Sequence, residues 1–309
     1  MDLQIPIDHR MEVSRNITRR SQSNLALAFI LLPKERRQGM SALYAFCREV
    51  DDIADDTSVP IAIRRKNLAA WRADTRRACQ GESPHLPVIR ELQPVIATYR
   101  LPFELLDEII RGVEMDLDIK RYQTFSDLEQ YCYRVASAVG LLSIEVFGYQ
   151  DKNCREYAIA LGKALQLTNI LRDVSSDAEH DRIYLPQEDL QRHQVTPEEI
   201  LQGQYSDRYH RLAQSMAQRA FQYYQQAARI LPAVDRKSMV AAELMGSVYW
   251  RLLKKLADKK FKVFGAEPIR LSKLQKIFLI LRTWYRLSIG AMTTNYGPPE
   301  TNKGTTSQV

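Results

Sequence analysis

Apolar residues recur at helical spacing almost without interruption from residue 22 to residue 290, and strand-like alternation is nearly absent. Such a chain buries its apolar surface by packing helix on helix. The periodicity predicts helices over residues 22–32, 35–56, 60–80, 86–99, 103–119, 125–148, 153–180, 206–231, 235–258 and 271–290. Breaks fall at Pro33, Pro60, "GESPHLP" (81–87), Pro102 and Pro186, with Gly203 and "FGAEP" (264–268) marking two more. No Gly/Ser-rich linker and no fixed-period repeat divides the chain, so residues 1–291 are expected to form one all-α domain. Residues 292–309 are polar with Pro and Gly, and are expected to be a disordered tail.

Several classes fall away early. The start, "MDLQIPIDHRMEVSR", is too polar for a signal peptide. The most apolar late stretch, "KIFLILRTWYRL" (276–287), carries two arginines and is far short of the ~20 residues a spanning helix needs. Cys47, Cys79, Cys132 and Cys154 are widely spaced and read as free thiols in a reducing, cytoplasmic setting. The five histidines show no ligand spacing.

"DDIADD" (51–56) crowds four carboxylates onto a helix end. Residues four apart share a helix face, so Tyr44, Arg48, Asp51 and Asp55 form one stripe. Like charges at that spacing repel, and carboxylates at a C-terminus oppose the helix dipole. Alone, the cluster is equally a solvated acidic end. A second stretch, "LQLTNILRDVSSDAEHDRIYLP" (165–186), tips the balance. Gln166, Asn169, Asp173 and Asp177 project from one face at spacings of 3, 4 and 4, while Leu165, Ile170, Leu171 and Val174 oppose them. Two oxygen-rich stripes without His or Cys suit Mg²⁺, which keeps water and shares its shell with phosphates. Arg48, Arg172 and Arg182 flank them, with Tyr184 following. Arginine forks suit a diphosphate, so aspartates, magnesium and arginines together make a trap for a leaving diphosphate. A third stretch, "YCYRVASAVGLLSIEVFG" (131–148), has a small-residue face of Ala136, Ala138 and Gly140. It serves either close helix packing or a long apolar ligand, into whose space Tyr131 would offer a hydroxyl.

These three stretches, with "LYAFCREVDDIADD" in full, "LLPKERR" (31–37) and "LMGSVYWRLLKKL" (244–256), resemble the squalene/phytoene synthase family over roughly residues 20–290. The resemblance implies an isoprenoid synthase helical bundle around a central apolar cavity. It implies Asp51, Asp55, Asn169, Asp173 and Asp177 as Mg²⁺ ligands, and Arg48, Arg172 and Arg182 as diphosphate holders. Tyr44, Tyr131 and Tyr184 match cavity-rim positions, Tyr131 the one proposed to help remove a proton. Gln166 and Tyr249 match cavity positions. One departure concerns "SQSNLALAFILLP", where Asn24 and Leu25 stand in place of the usual Ser and Phe.

Within the family, "GVEMDL", "ALQLTNILRD" and "RLSKLQK" are most similar to bacterial presqualene diphosphate synthases of the hopanoid pathway. The expected reaction joins two farnesyl diphosphates head to head with release of diphosphate. The runner-up is phytoene formation from two geranylgeranyl diphosphates, followed by a complete NADPH-dependent squalene synthase. The twelve glycines form no G-x-G-x-x-G. A non-enzymatic helical metal-binding scaffold is the rival from another class, and intact aspartates in both stripes speak against it.

The chain's net charge is +7. Residues 251–286 alone carry eleven Lys or Arg against Asp258 and Glu267. Basic charge interleaved with apolar helix suits an anionic membrane surface, the alternative being a solvated basic face. No nucleic-acid motif accompanies it, so nucleic acid is not an expected partner.

Overall fold

A computed structural model describes residues 11–20, 28–265, 269–288 and 294–297. The described residues form helices and turns, with one isolated bridge, Arg121 to Ile183, and no strand. Their buried apolar side chains make a single cluster that extends from Met11 to Tyr296.

The helices are α1 (Glu12–Arg20), α2 (Lys34–Asp55), α3 (Ile61–Cys79), α4 (Pro87–Tyr99), α5 (Phe103–Asp118), α6 (Phe125–Cys132), α7 (Ala138–Phe147), α8 (Asn153–Glu179), α9 (Gln187–Arg192), α10 (Pro197–Leu201), α11 (Asp207–Ile230), α12 (Val240–Asp258) and α13 (Lys273–Ser288). The longest, α8, packs against α11, α7 and α12, while α2 packs against α1, α4, α5 and α7. These contacts leave α2 and α8 on opposite walls of a cavity, with α7 and α12 between them.

Prolines set the starts. Pro33, Pro60 and Pro102 each stand immediately before a helix, where a missing N–H costs nothing. Thr124 and Thr196 cap α6 and α10 with reciprocal Asp127 and Glu199 bonds. The α2 end, loaded with carboxylates, is held by Arg64, whose Nη1 donates to the Ala54 carbonyl at 2.6 Å.

Four expectations differ from what is observed. The helix expected over 22–32 lies mostly outside the described residues, together with Asn24 and Leu25, and its described end is a short 3₁₀ turn, Phe29–Leu31. The helix expected from residue 235 begins at Val240. Asp235 is instead a buried cap, accepting from the backbone N–H of Gln150 at 2.8 Å and Asp151 at 2.9 Å ahead of α8. The helix over 125–148 is interrupted by a π-helical turn, Tyr133–Ser137, between α6 and α7. Such turns are rare and cluster at functional sites. Finally, the tail is not wholly without structure. Within residues 294–297, Tyr296 is fully buried, because a glycine-lined slot receives its ring. The short helices α1, α9 and α10 have too few turns to announce themselves by periodicity.

Candidate active site

The four carboxylates of residues 51–56 divide their work. Asp51 lines a cavity of about 530 Å³, together with Tyr44 and Arg48 of the same helix. Asp55 receives Arg182 Nη1 at 2.8 Å, a contact between residues 127 apart in sequence. Asp52 turns back to Arg48 Nη2 at 2.6 Å, and Asp56 closes the turn after α2 by accepting from the Ser58 N–H at 3.0 Å.

Across the cavity, α8 contributes Gln166, Asn169, Arg172 and Asp173 to the lining, and α12 contributes Tyr249. Arg172 Nε donates to Asp173 Oδ1 at 2.7 Å, and Tyr249 lies beside the same guanidinium. Asn169 donates its amide to Gln166 Oε1 at 3.4 Å, while its own Oδ1 is buried without any hydrogen-bond partner. Below this polar rim the lining turns apolar and small. Gly140 and Gly162 both border the cavity, and a Cβ on Gly162 would lie 2.7 Å from Ser137 Cα. Packing and cavity thus use the same small residues. Ala136 lines the cavity, whereas Ala138 is fully buried.

Sequence reasoning missed Asp116. It stands on α5 among Glu114 and Asp118, with no spacing that singles it out. In the fold, Tyr131 donates its hydroxyl to Asp116 Oδ2 at 2.9 Å and Tyr184 donates to Oδ1 at 2.7 Å. Tyr122 packs on both rings, at centroid distances of 5.6 and 5.8 Å. Tyr131 and Tyr184 therefore stand beside the carboxylates rather than along the apolar lining of the large cavity. Burial of their rings and the carboxylate between them hold both hydroxyls at its charged end, where Asp116 engages the Tyr131 hydroxyl.

A strap after α8 carries Arg182 and Tyr184 to these positions. Asp181 adopts a left-handed φ of 56°, a conformation that Asp and Asn take more readily than most residues other than Gly. Lys120 Nζ and Arg121 Nη2 hold its carboxylate at 2.8 and 2.6 Å, drawing its pKa down to about 2. The strap then bonds Ile183 N–H to the Lys120 carbonyl at 3.0 Å and Gln187 N–H to the Tyr122 carbonyl at 2.8 Å.

The gathered carboxylates repel. Burial raises the Asp177 pKa to about 8, helped by Asp173 and opposed by Arg182. Burial and then Asp55 raise Asp51 to about 7, against the pull of Arg48. Burial raises Asp116 to about 6. Asp51 lines the cavity with 47% of its side-chain surface exposed. The donor set fits a hard divalent cation: several carboxylates short of positive charge, an unpartnered amide oxygen, and no His or Cys. Among the described residues no three of these acids converge closely enough to hold an ion by themselves. The remaining ligands would be water and phosphate oxygens, as Mg²⁺ prefers.

The squalene/phytoene synthase family description matches residues 18–275. The chain belongs to the squalene/phytoene synthase family. It is thus a prenyltransferase. It is 36% identical over 269 residues to the 15-cis-phytoene synthase of Synechococcus elongatus, covering 82% of this chain and 85% of that one. It is 35% identical over 261 residues to the presqualene diphosphate synthase of Rhodopseudomonas palustris, covering 84% and 92%. A dehydrosqualene synthase crystal structure superposes with a TM-score of 0.83 at 28% identity, covering 92% of this chain and 98% of that one.

The repulsion yields a prediction. In the folded chain Asp177 keeps a proton up to pH of about 8 that the unfolded chain releases near 4, so stability falls as pH rises toward 8. In chelator-treated protein, Asp177→Asn removes that slope. Denaturant titrations at pH 6 and pH 8 should show the variant gaining about 1–2 kcal/mol on wild type between them. A constant difference would contradict the electrostatic reading.

Proposed function

We propose that this prenyltransferase joins two farnesyl diphosphates head to head to give presqualene diphosphate and free diphosphate. The observation that carries the proposal is the pairing of two oxygen-rich helix ends, on α2 and α8, at an apolar cavity lined by Arg48 and Arg172, with Arg182 bonded to Asp55. Mg²⁺, held by Asp51, Asp55, Asn169, Asp173 and Asp177, would offset the charge of the diphosphate and favour its departure. The three arginines take up the negative charge that develops on the leaving group. As the donor C–O bond breaks, the resulting allylic cation accepts the electrons of the acceptor's C2–C3 double bond. Loss of one proton closes the cyclopropane, and the acceptor keeps its own diphosphate. Tyr44, Phe29 and the α7 face exclude water that would quench the cation. Tyr131 and Tyr184 supply hydroxyl oxygens for the departing proton, with Asp116 accepting theirs through bonds already formed. Gln166 and Tyr249 orient the chain beside the arginine.

Phytoene formation from two geranylgeranyl diphosphates is the second reading, favoured by the 36% identity to a phytoene synthase. Product analysis by mass separates them. Incubated with Mg²⁺ and farnesyl diphosphate, the protein should make presqualene diphosphate, unchanged by NADPH. Phytoene from geranylgeranyl diphosphate would favour the second reading, NADPH-dependent squalene the third. No diphosphate release from either substrate would end the catalytic reading and favour a scaffold.

Peripheral membrane attachment belongs to the same proposal. No helix among the described residues is long and apolar enough to cross a membrane. On α13, however, Leu274, Ile277, Phe278, Leu281 and Tyr285 leave 52–79% of their surface exposed. Their spacing makes one apolar stripe, with Lys276 and Arg282 on the same helix and Arg251, Lys254 and Lys255 on α12 beneath it. Such a face suits insertion among anionic headgroups. The protein should pellet with phosphatidylglycerol liposomes at low salt, and Phe278→Asp with Leu281→Asp should abolish pelleting. Wild-type protein left in the supernatant would refute the attachment.

A further inference from the structure

A cavity that receives a prenyl chain selects its length by where it stops. Along α8 the lining descends from Asp173 through Asn169, Leu165, Leu161 and Ala158 to Tyr157. At 1.5 Å per residue, Tyr157 lies ~24 Å below Asp173 along the helix. Its side chain is wholly buried at the apolar end, where Phe147 and Ala241 also close in.

Tyr157 is held from behind. Its hydroxyl donates to Glu243 Oε1 at 3.2 Å and sits 3.1 Å from the Tyr296 hydroxyl, which itself donates to Glu243. Glu243 is a buried residue of α12. Tyr296 does not line the cavity. It arrives on residues 294–297, beyond α13, and fills a slot shaped for it. A Cβ on Gly246 would overlap its ring, and a Cβ on Gly297 would overlap the Tyr224 carbonyl. Gly297 also has a φ of 63°, which a residue without a Cβ adopts freely. The Tyr224 and Tyr296 rings meet edge-on at 5.9 Å. Buried hydroxyls around one carboxylate are costly unless each finds a partner, so removing Tyr296 leaves Tyr157 and Glu243 to rearrange.

We propose that Tyr157, pinned by Glu243 and by Tyr296 of the C-terminal segment, is the floor of the cavity and limits the length of prenyl chain that it accepts. Tyr157 is thus a specificity-determining residue and Tyr296 a positioning residue acting through it. The proposal rests on the prenyl diphosphate reading given above.

The test is the ratio of kcat/KM for geranylgeranyl over farnesyl diphosphate, measured as Mg²⁺-dependent diphosphate release by the full chain. Tyr157→Ala and Tyr296→Leu should each raise the ratio about tenfold or more, within the range that one hydrophobic contact commands in a substrate pocket. Tyr296 does not itself line the cavity, so a merely structural role of Tyr296 would lower both kcat/KM values in step and leave the ratio unchanged. Tyr157→Leu, which keeps the core filled, replaces Tyr157→Ala if that variant fails to fold. An unchanged ratio in folded variants overturns the proposal while leaving the function intact. Wild-type protein that releases diphosphate from neither substrate overturns the function itself.

Discussion

Charge repulsion among Asp51, Asp55, Asp116, Asp173 and Asp177 is the constraint around which this bundle is arranged. Carboxylates brought together in a partly desolvated cleft resist ionisation, and the folded chain tolerates them only with positive charge nearby. Arg182 supplies some by reaching from the strap to Asp55, and Arg172 supplies more beside Asp173. The Lys120 and Arg121 grip on Asp181 then matters, because it fixes the strap that delivers Arg182 and Tyr184. On the function proposed above, the charge left over would be met by a divalent cation and, through it, a diphosphate. An arrangement optimised for stability alone would not gather these acids.

The apolar half of the molecule answers a different demand. Gly140 and Gly162 let α7 and α8 approach closely while keeping the cavity wall free of bulky side chains. The π turn at Tyr133–Ser137 sits in that wall, with Val135 and Ala136 on the cavity and Ser137 Oγ donating to the Ile159 carbonyl at 2.9 Å. The cavity is therefore a product of tight packing around it rather than of loose packing within it.

Much of this was legible in the sequence, for a physical reason. A helix converts spacing directly into direction, so the stripes of Asp51 with Asp55 and of Asn169 with Asp173 and Asp177 could be drawn before any fold was known. What escaped were features that only tertiary contact creates. Asp116 carries no periodic signal and acquires its place when Tyr131 and Tyr184 converge on it. Asp235 looked like the start of a helix because its role, capping the backbone ahead of α8, depends on a segment 84 residues away. Tyr296 was hidden in a polar, glycine-containing stretch, and nothing in that composition records the slot formed by Gly246.

The central claim is that the facing carboxylates exist to bind a divalent cation together with diphosphate. Calorimetric titration of Mg²⁺ into the protein, with and without inorganic diphosphate, tests it most directly. The account predicts that diphosphate strengthens Mg²⁺ binding, and that combining Asp55→Asn with Asp173→Asn weakens the diphosphate-dependent binding by tenfold or more, about 1.4 kcal/mol. Wild-type protein that binds Mg²⁺ no better with diphosphate than without it, or a double variant that binds as wild type does, would contradict the account.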